Sequence, residues 1–193
     1  RRPETADSNI LDLYIWLNCY PTWYFTNDKG LMWVAKSEDG QYYSSIPCCK
    51  DEDLKECFLE TQKYFNEVLQ KKLVMYVVDR AAVDLLQLPE DEYVVVPDRT
   101  YADYVYDAEK LRTFSGKKYH KKKNHLNAFK REYEGRYEFK FLSKKDEPEI
   151  LDFLEDWKKH KSDTEEHEFI DSEAVGIKYI LEHEEVFDYK IGA

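Results

Sequence analysis

The sequence predicts an α/β (α+β) chain, a mixed sheet flanked by helices, and three observations carry that expectation. Short aromatic and β-branched runs separated by Asn27-Asp28-Lys29-Gly30 and Glu38-Asp39-Gly40 read as a three-stranded meander. An amphipathic stretch over residues 51–72 leads directly into the β-branched run 73–78, a helix followed by a buried strand. Beyond residue 136 the order strand, helix, loop, helix, strand begins again, as if a second copy of one architecture starts there.

Each element has its own signal. Residues 9–20 are apolar enough for a short helix, and 23–25 with 31–36 form a hairpin joined by strand 41–47. In 51–72, Asp51 or Asp53 caps the helix, and Glu52 and Glu56 sit near its positive end. Leu54, Cys57, Phe58, Phe65, Val68 and Leu69 recur at spacings of three and four, and Lys71 and Lys72 close the negative end. Residues 80–88 predict a helix stopped by Pro89, and 93–96 and 101–106 predict strands, the second at an edge. Strand 137–142 and helix 147–161 follow, the helix with Ile150, Leu151, Phe153, Leu154 and Trp157 on its apolar face. An acidic loop at 162–168 precedes a helix capped by Asp171 or Ser172 and running to about residue 183, and 188–193 opens a strand. The expected organisation is a first domain over 1–110, a connecting helix over 111–135 and the start of a second domain over 136–193, the whole read as a fragment of a longer protein.

The connecting helix is the segment with functional content. Residues 116–131 (GKKYHKKKNHLNAFKR) hold seven of the 29 basic residues of a chain whose net charge is −11. Lys117, Lys118, Lys121, Lys122, Lys123, Lys130 and Arg131 cluster there with His120, Asn124 and His125. Such crowding costs self-repulsion that something must offset. At helical period, Tyr119, Leu126, Phe129 and Tyr133 form an apolar stripe for packing, opposite Lys117, Lys121, Asn124 and Arg131. Three readings stand: a solvated face, a site for phosphates, or a surface for an acidic protein.

Composition narrows the classes. Hydrophobic residues at 42% and aromatics at 16% are ample for a core and exclude wholesale disorder. The acidic balance argues against a general nucleic-acid coat but permits one local basic site. No run approaches the roughly 20 apolar residues of a membrane span. The cysteines, Cys19, Cys48, Cys49 and Cys57, show no CxxC pair, so reduced thiols and a cytoplasmic setting are expected rather than zinc or disulfides.

Tyr104-Val105-Tyr106, Leu111, the run Gly116-Lys117-Lys118, His120-Lys121-Lys122-Lys123-Asn124-His125 and Phe129, with Asp12-Leu13-Tyr14-Ile15-Trp16 near the start, together resemble the phosphatidylglycerol lysyltransferase C-terminal domain family. The resemblance is to its small bacterial members that lack the membrane-embedded portion. It implies paired GNAT-like (acyl-CoA N-acyltransferase) domains and transfer of an acyl or aminoacyl group from a phosphate-bearing donor, acyl-CoA or aminoacyl-tRNA, to an amine or hydroxyl. Lys117, Lys118, Lys121, Lys122 and Lys123 match the family's basic stretch and are implied as donor contacts; no catalytic base is matched. One departure is plain: no glycine lies between Gly40 and Gly116, so the first half lacks a glycine-rich loop for a pyrophosphate.

Other constellations read more plainly. His160, His167 and His183, among Asp163, Glu165, Glu166, Glu168, Asp171 and Glu173, lack metal-ligand spacing and read as a solvated acidic region. Trp16, Trp23 and Trp33 are assigned to packing rather than to an aromatic cage. Ser44-Ser45 lacks a nucleophile context, and Asp79-Arg80 reads as a helix cap.

Overall fold

The computed structural model describes Thr5, residues 9–161 and residues 167–193. The chain runs α1 (Ile10–Ile15), β1 (Thr22–Thr26), β2 (Gly30–Lys36), β3 (Tyr42–Tyr43), β4 (Cys48–Cys49), α2 (Leu54–Lys63), α3 (Arg80–Leu86), α4 (Ala108–Thr113), α5 (His120–Glu132), β5 (Phe141–Leu142), α6 (Glu147–Lys161), α7 (His167–Glu182) and β6 (Ile191–Gly192). It is a mixed α/β chain, as expected.

The meander forms in the order β1-β2-β3, all antiparallel, with β4 returning to pair with the start of β2. The hairpin turn is locked by Asn27, whose Oδ1 accepts from the backbone N–H of Lys29 at 2.8 Å and of Gly30 at 2.9 Å. Helix α2 lays Leu54, Cys57 and Phe58 on the sheet, where they close a core with Met32, Ile46, Cys49, Ala82 and Leu86. The helix expected over 51–72 spans 51–69 and changes pitch: Asp51–Asp53 form a 3₁₀ turn, so Asp51 lies within it and the Asp53 side chain makes no capping bond to α2, and Tyr64–Leu69 form a π-helical turn that ends at Gln70, with a positive φ, before Lys71 and Lys72. Asp79 caps α3 through its side chain, accepting from the Ala82 N–H at 2.8 Å.

A second cluster is built by α6, α7 and the N-terminal α1, with Leu154, Ile170, Ile180, Leu181 and Phe187 buried. Helix α1 packs on α7 at backbone distance, because Gly176 leaves room for it: a Cβ there would stand 2.4 Å from the Ile15 Cα. Tyr14 stacks on Tyr179 at 5.2 Å and meets Phe187 edge-on at 5.1 Å. Strand β6 pairs with β5 in a separate two-stranded sheet.

Several expected elements differ. Residues 73–78 do not form a strand: Met75 makes one isolated parallel bridge to Ser44, and the chain turns away at Val77, whose φ is 55°. A β-branched residue is costly in that region, and one there breaks the extended run. Residues 93–96 and 101–106 form no strands either; Val94 is 87% exposed and Val105 91%. Strand propensity needs a partner strand to act on, and these runs have none among the described residues. Between them Asp98 instead caps a 3₁₀ turn over Arg99–Tyr101. Strands 137–142 and 188–193 shrink to two residues each. Helix α7 starts at His167, so Asp171 and Ser172 lie inside it rather than capping it, and Asp171 pairs with Lys158 at 2.8 Å. Asp163, Glu165 and Glu166 lie outside the described residues.

Candidate functional site

The predicted basic residues fall on one continuous element. Lys117 and Lys118 lie on a 3₁₀ turn, Lys117–Tyr119, entered through Gly116 at φ 92°. It runs straight into α5, which carries Lys121, Lys122, Lys123, Asn124, His125, Lys130 and Arg131. All nine side chains are exposed. The helix holds no acid before Glu132, so cations repeat at i, i+4 (Lys117/Lys121, Lys118/Lys122), each such like-charge pair costing a few tenths of a kcal/mol, roughly 0.2–0.5.

That cost is not relieved by carboxylates. Among the described residues none of the seven Lys and Arg side chains of residues 116–131 makes an ion pair, whereas pairs form elsewhere at Arg80–Asp84, Arg112–Glu109, Lys140–Asp146 and Lys158–Asp171. The nearest carboxylate influence is weak: Lys118 is a minor contributor to the low pKa of Asp107, which comes mainly from hydrogen bonds donated by Lys110. Two lysines rest on rings, Lys118 Nζ 5.3 Å from the Tyr119 centroid and Lys122 Nζ 5.3 Å from that of Tyr106.

The apolar stripe is not covered as expected. Tyr119 alone is buried, edge-on to Phe114 at 6.4 Å. Phe129, Tyr133 and Tyr137 remain exposed and pack on one another, with Phe129 4.9 Å from each of the other two. Periodicity reports an amphipathic helix but not whether a partner is present. Helix α5 therefore presents cations and a ring cluster to solvent together, and a shallow depression at its C-terminal end joins Lys130 and Arg131 to Tyr137 and Phe139.

A second feature lay hidden in the sequence. A cavity of about 620 Å³ opens where α1 and α7 meet the sheet. Trp16 and Phe169, 6.3 Å apart and edge to face, form one wall; Trp33 and Tyr43 rise from β2 and β3; Tyr76 and Tyr101, 6.4 Å apart, also line it. Trp16 and Trp33, assigned above to packing, thus line open space, whereas Trp23 lies outside, against Tyr42. Three carboxylates, Asp12, Glu38 and Asp39, face the cavity, and no Lys, Arg or His among the described residues lines it. Burial pushes the Tyr43 hydroxyl up to about 12, helped by Tyr20, Tyr76 and Tyr101, and burial followed by Glu38 raises Tyr20. Tyr43 and Tyr20 are thus held in their neutral form. Asp39 accepts from the Ser37 hydroxyl and the Gln41 N–H, which holds its carboxyl below the usual range.

No metal-ligand group of three His, Cys, Asp or Glu occurs among the described residues. His160 and His183 each turn Nδ1 to the carbonyl four residues back, at 2.7 and 2.8 Å. The side chains of His167 and Glu168 lie outside the described set. Cys49 and Cys57 lie in the core as thiols outside any disulfide, and burial, then Cys57, pushes Cys49 up to about 12. No helix among the described residues is long and apolar enough to cross a membrane.

Comparison with known proteins gives this geometry a context. A crystal structure of a conserved protein of unknown function from Bacteroides thetaiotaomicron superposes with a TM-score of 0.81 at 26% identity, covering 98% of this chain and 63% of that one. An uncharacterised protein of Mycoplasmoides gallisepticum is 28% identical over 100 residues, 52% of this chain and 32% of its own length. The chain thus spans about a third of that curated relative and under two thirds of the solved one. Residues 2–183 match the family described as phosphatidylglycerol lysyltransferase, C-terminal, a description that suggests a transferase-like role. The chain belongs to the phosphatidylglycerol lysyltransferase C-terminal family.

Proposed function

We propose that this chain is part of an acyl or aminoacyl transferase related to the GNAT-like enzymes, and that α5 holds the phosphates of the donor. One observation carries the reading: seven basic side chains crowd one exposed element without an ion pair among the described residues. A helix that tolerates this repulsion unpartnered is suited to an anion that arrives with the substrate.

The arrangement favours aminoacyl-tRNA over acyl-CoA. Helix α5 is 13 residues long, about 20 Å at ~1.5 Å per residue, a spread that suits a row of phosphates better than one pyrophosphate. Phe129, Tyr133 and Tyr137 beside Lys130 and Arg131 offer rings on which unpaired bases stack. The place where a pyrophosphate would meet a helix N-terminus in the first half is unsuitable. The turn leading into α2 carries Asp51, Glu52 and Asp53, which repel it, and no glycine.

In the proposed reaction the acceptor amine or hydroxyl attacks the ester carbonyl of the aminoacyl group. The new C–N or C–O bond forms, the ester bond to the terminal ribose breaks, and the nucleophile's proton ends on the ribose hydroxyl. Positioning supplies much of the rate in such chemistry, because bringing two reactants together can be worth roughly 7–11 kcal/mol.

Binding of aminoacyl-tRNA and of coenzyme A to the chain at low salt, for wild type and for the triple variant Lys121→Glu, Lys122→Glu, Lys123→Glu, tests the reading. Tight tRNA binding lost in the variant supports it. Failure of both donors to bind, or equal binding by the variant, ends it. Binding without transfer in the longer protein would leave a phosphate-binding module in place of an enzyme.

A further inference from the structure

The cavity between α1, α7 and the sheet is unsuited to a phosphate. It presents Asp12, Glu38 and Asp39 and, among the described residues, no cation, so the charges of its described lining repel an anion. It is equally unsuited to a purely apolar guest, which would strip water from those carboxylates and return nothing to them. Its lining is rich in rings: Trp16 with Phe169, Trp33 and Tyr43, and Tyr76, which meets both Tyr43 and Tyr101. Ring faces attract cations, indole most strongly. The volume, about 620 Å³, suits a small organic molecule.

We propose that this cavity is a binding site for an organic ammonium ion, an alkylated or protonated amine with no phosphate attached to it. The rings surround the cationic head, and Glu38 and Asp39 at the β2–β3 turn provide its counter-charge. Asp39 is fixed in place by Ser37 and Gln41, while Glu38 makes no ion pair among the described residues. Val77, a β-branched residue held at φ 55°, forms part of the wall beside Tyr76, so backbone strain sits at the cavity. A caged ammonium is a poor nucleophile, because its lone pair carries the proton or alkyl group. The cavity therefore grips a recognition handle, and any acceptor group reacts outside it. The site is independent of the donor assignment to α5, because its test reads binding alone.

The chain has four tryptophans, and Trp16 and Trp33 line the cavity while Trp23 and Trp157 do not. The test follows the four indole N–H signals by NMR while the chain is titrated with choline, with its neutral carbon isostere 3,3-dimethylbutanol, and with phosphocholine. Choline is expected to move the Trp16 and Trp33 signals saturably and leave the other two in place. The isostere and phosphocholine should each bind at least about tenfold more weakly, the former for want of charge and the latter for its phosphate. Glu38→Gln, at an exposed position, should loosen choline severalfold without changing Tm, and Trp33→Leu about tenfold. Absence of choline binding, equal binding of the isostere, phosphocholine binding as tightly as choline, shifts shared by all four indoles, or an unaltered affinity in Glu38→Gln would each overturn the proposal.

Discussion

Gly176→Ala probes the junction on which the cavity depends. The added Cβ would lie 2.4 Å from the Ile15 Cα, 2.7 Å from its carbonyl oxygen and 2.9 Å from its carbonyl carbon. Ordinary contact begins near 3.4 Å, so α1 must retreat from α7 by about 1 Å. The obstacle is backbone, not the end of a flexible side chain, so the strain has no cheap outlet. Overpacking of this kind costs roughly 1–3 kcal/mol. Alanine's better helix propensity returns about 0.8–1 kcal/mol. Separation also weakens the Tyr14–Tyr179 and Trp16–Phe169 ring pairs, each worth about 0.5–1.5 kcal/mol. The net loss is about 1–2 kcal/mol, a fall of roughly 2–8 °C in Tm for a chain of this size. Thermal unfolding together with the Trp16 indole signal reads both the stability and the wall of the cavity. A variant as stable as wild type or more so, with Trp16 undisturbed, would mean that α1 does not sit on α7.

Three other outcomes follow from the geometry. The Tyr43 hydroxyl, raised by burial to about 12, should ionise well after an ordinary tyrosine in a spectrophotometric titration that Tyr43→Phe identifies. Its raised folded value means the stabilisation is complete below about pH 10 and fades as pH climbs towards 12; ionisation near 10 would contradict the burial. Asp146 accepts from the Ser143 N–H at 2.9 Å and from its hydroxyl at 3.1 Å, which with Lys140 holds its carboxyl low. The helix-start stabilisation should therefore persist at neutral pH and be lost only as pH falls below the usual carboxylate value of about 3.9, a loss that Asp146→Ala abolishes in acid-unfolding curves. Changing Lys121, Lys122 and Lys123 to Glu should leave the free energy of unfolding within about 1 kcal/mol of wild type, since no ion pair among the described residues is broken; a larger loss would show that α5 is a structural strut.

The sequence made local structure legible where local chemistry decides it. Asn27 and Gly30 announced the hairpin, and the spacing of Leu54, Cys57, Phe58 and Phe65 announced the buried face of α2. Where outcomes depend on distant partners it misled. Val94, Val95 and Val96 have strand propensity but no neighbouring strand among the described residues, and Phe129 and Tyr133 keep helical spacing yet stay exposed, packed only on local neighbours such as Tyr137. The basic element was plain from composition alone. The cavity was not, because its walls come from residues as far apart as Asp12 and Phe169. The one available signal was the excess of Trp and Tyr close to acidic turns, and single tryptophans in apolar runs read first as packing.

The central claim is that α5 meets phosphates, and the salt dependence of tRNA binding tests it most directly. Phosphate contacts release counterions, so the logarithm of affinity should fall linearly with the logarithm of salt concentration. Removing Lys121, Lys122 and Lys123 together should flatten that line by about 2–3 in slope, at roughly 0.7–0.9 per contact. A slope identical in wild type and triple variant, or an affinity indifferent to salt, would contradict the account.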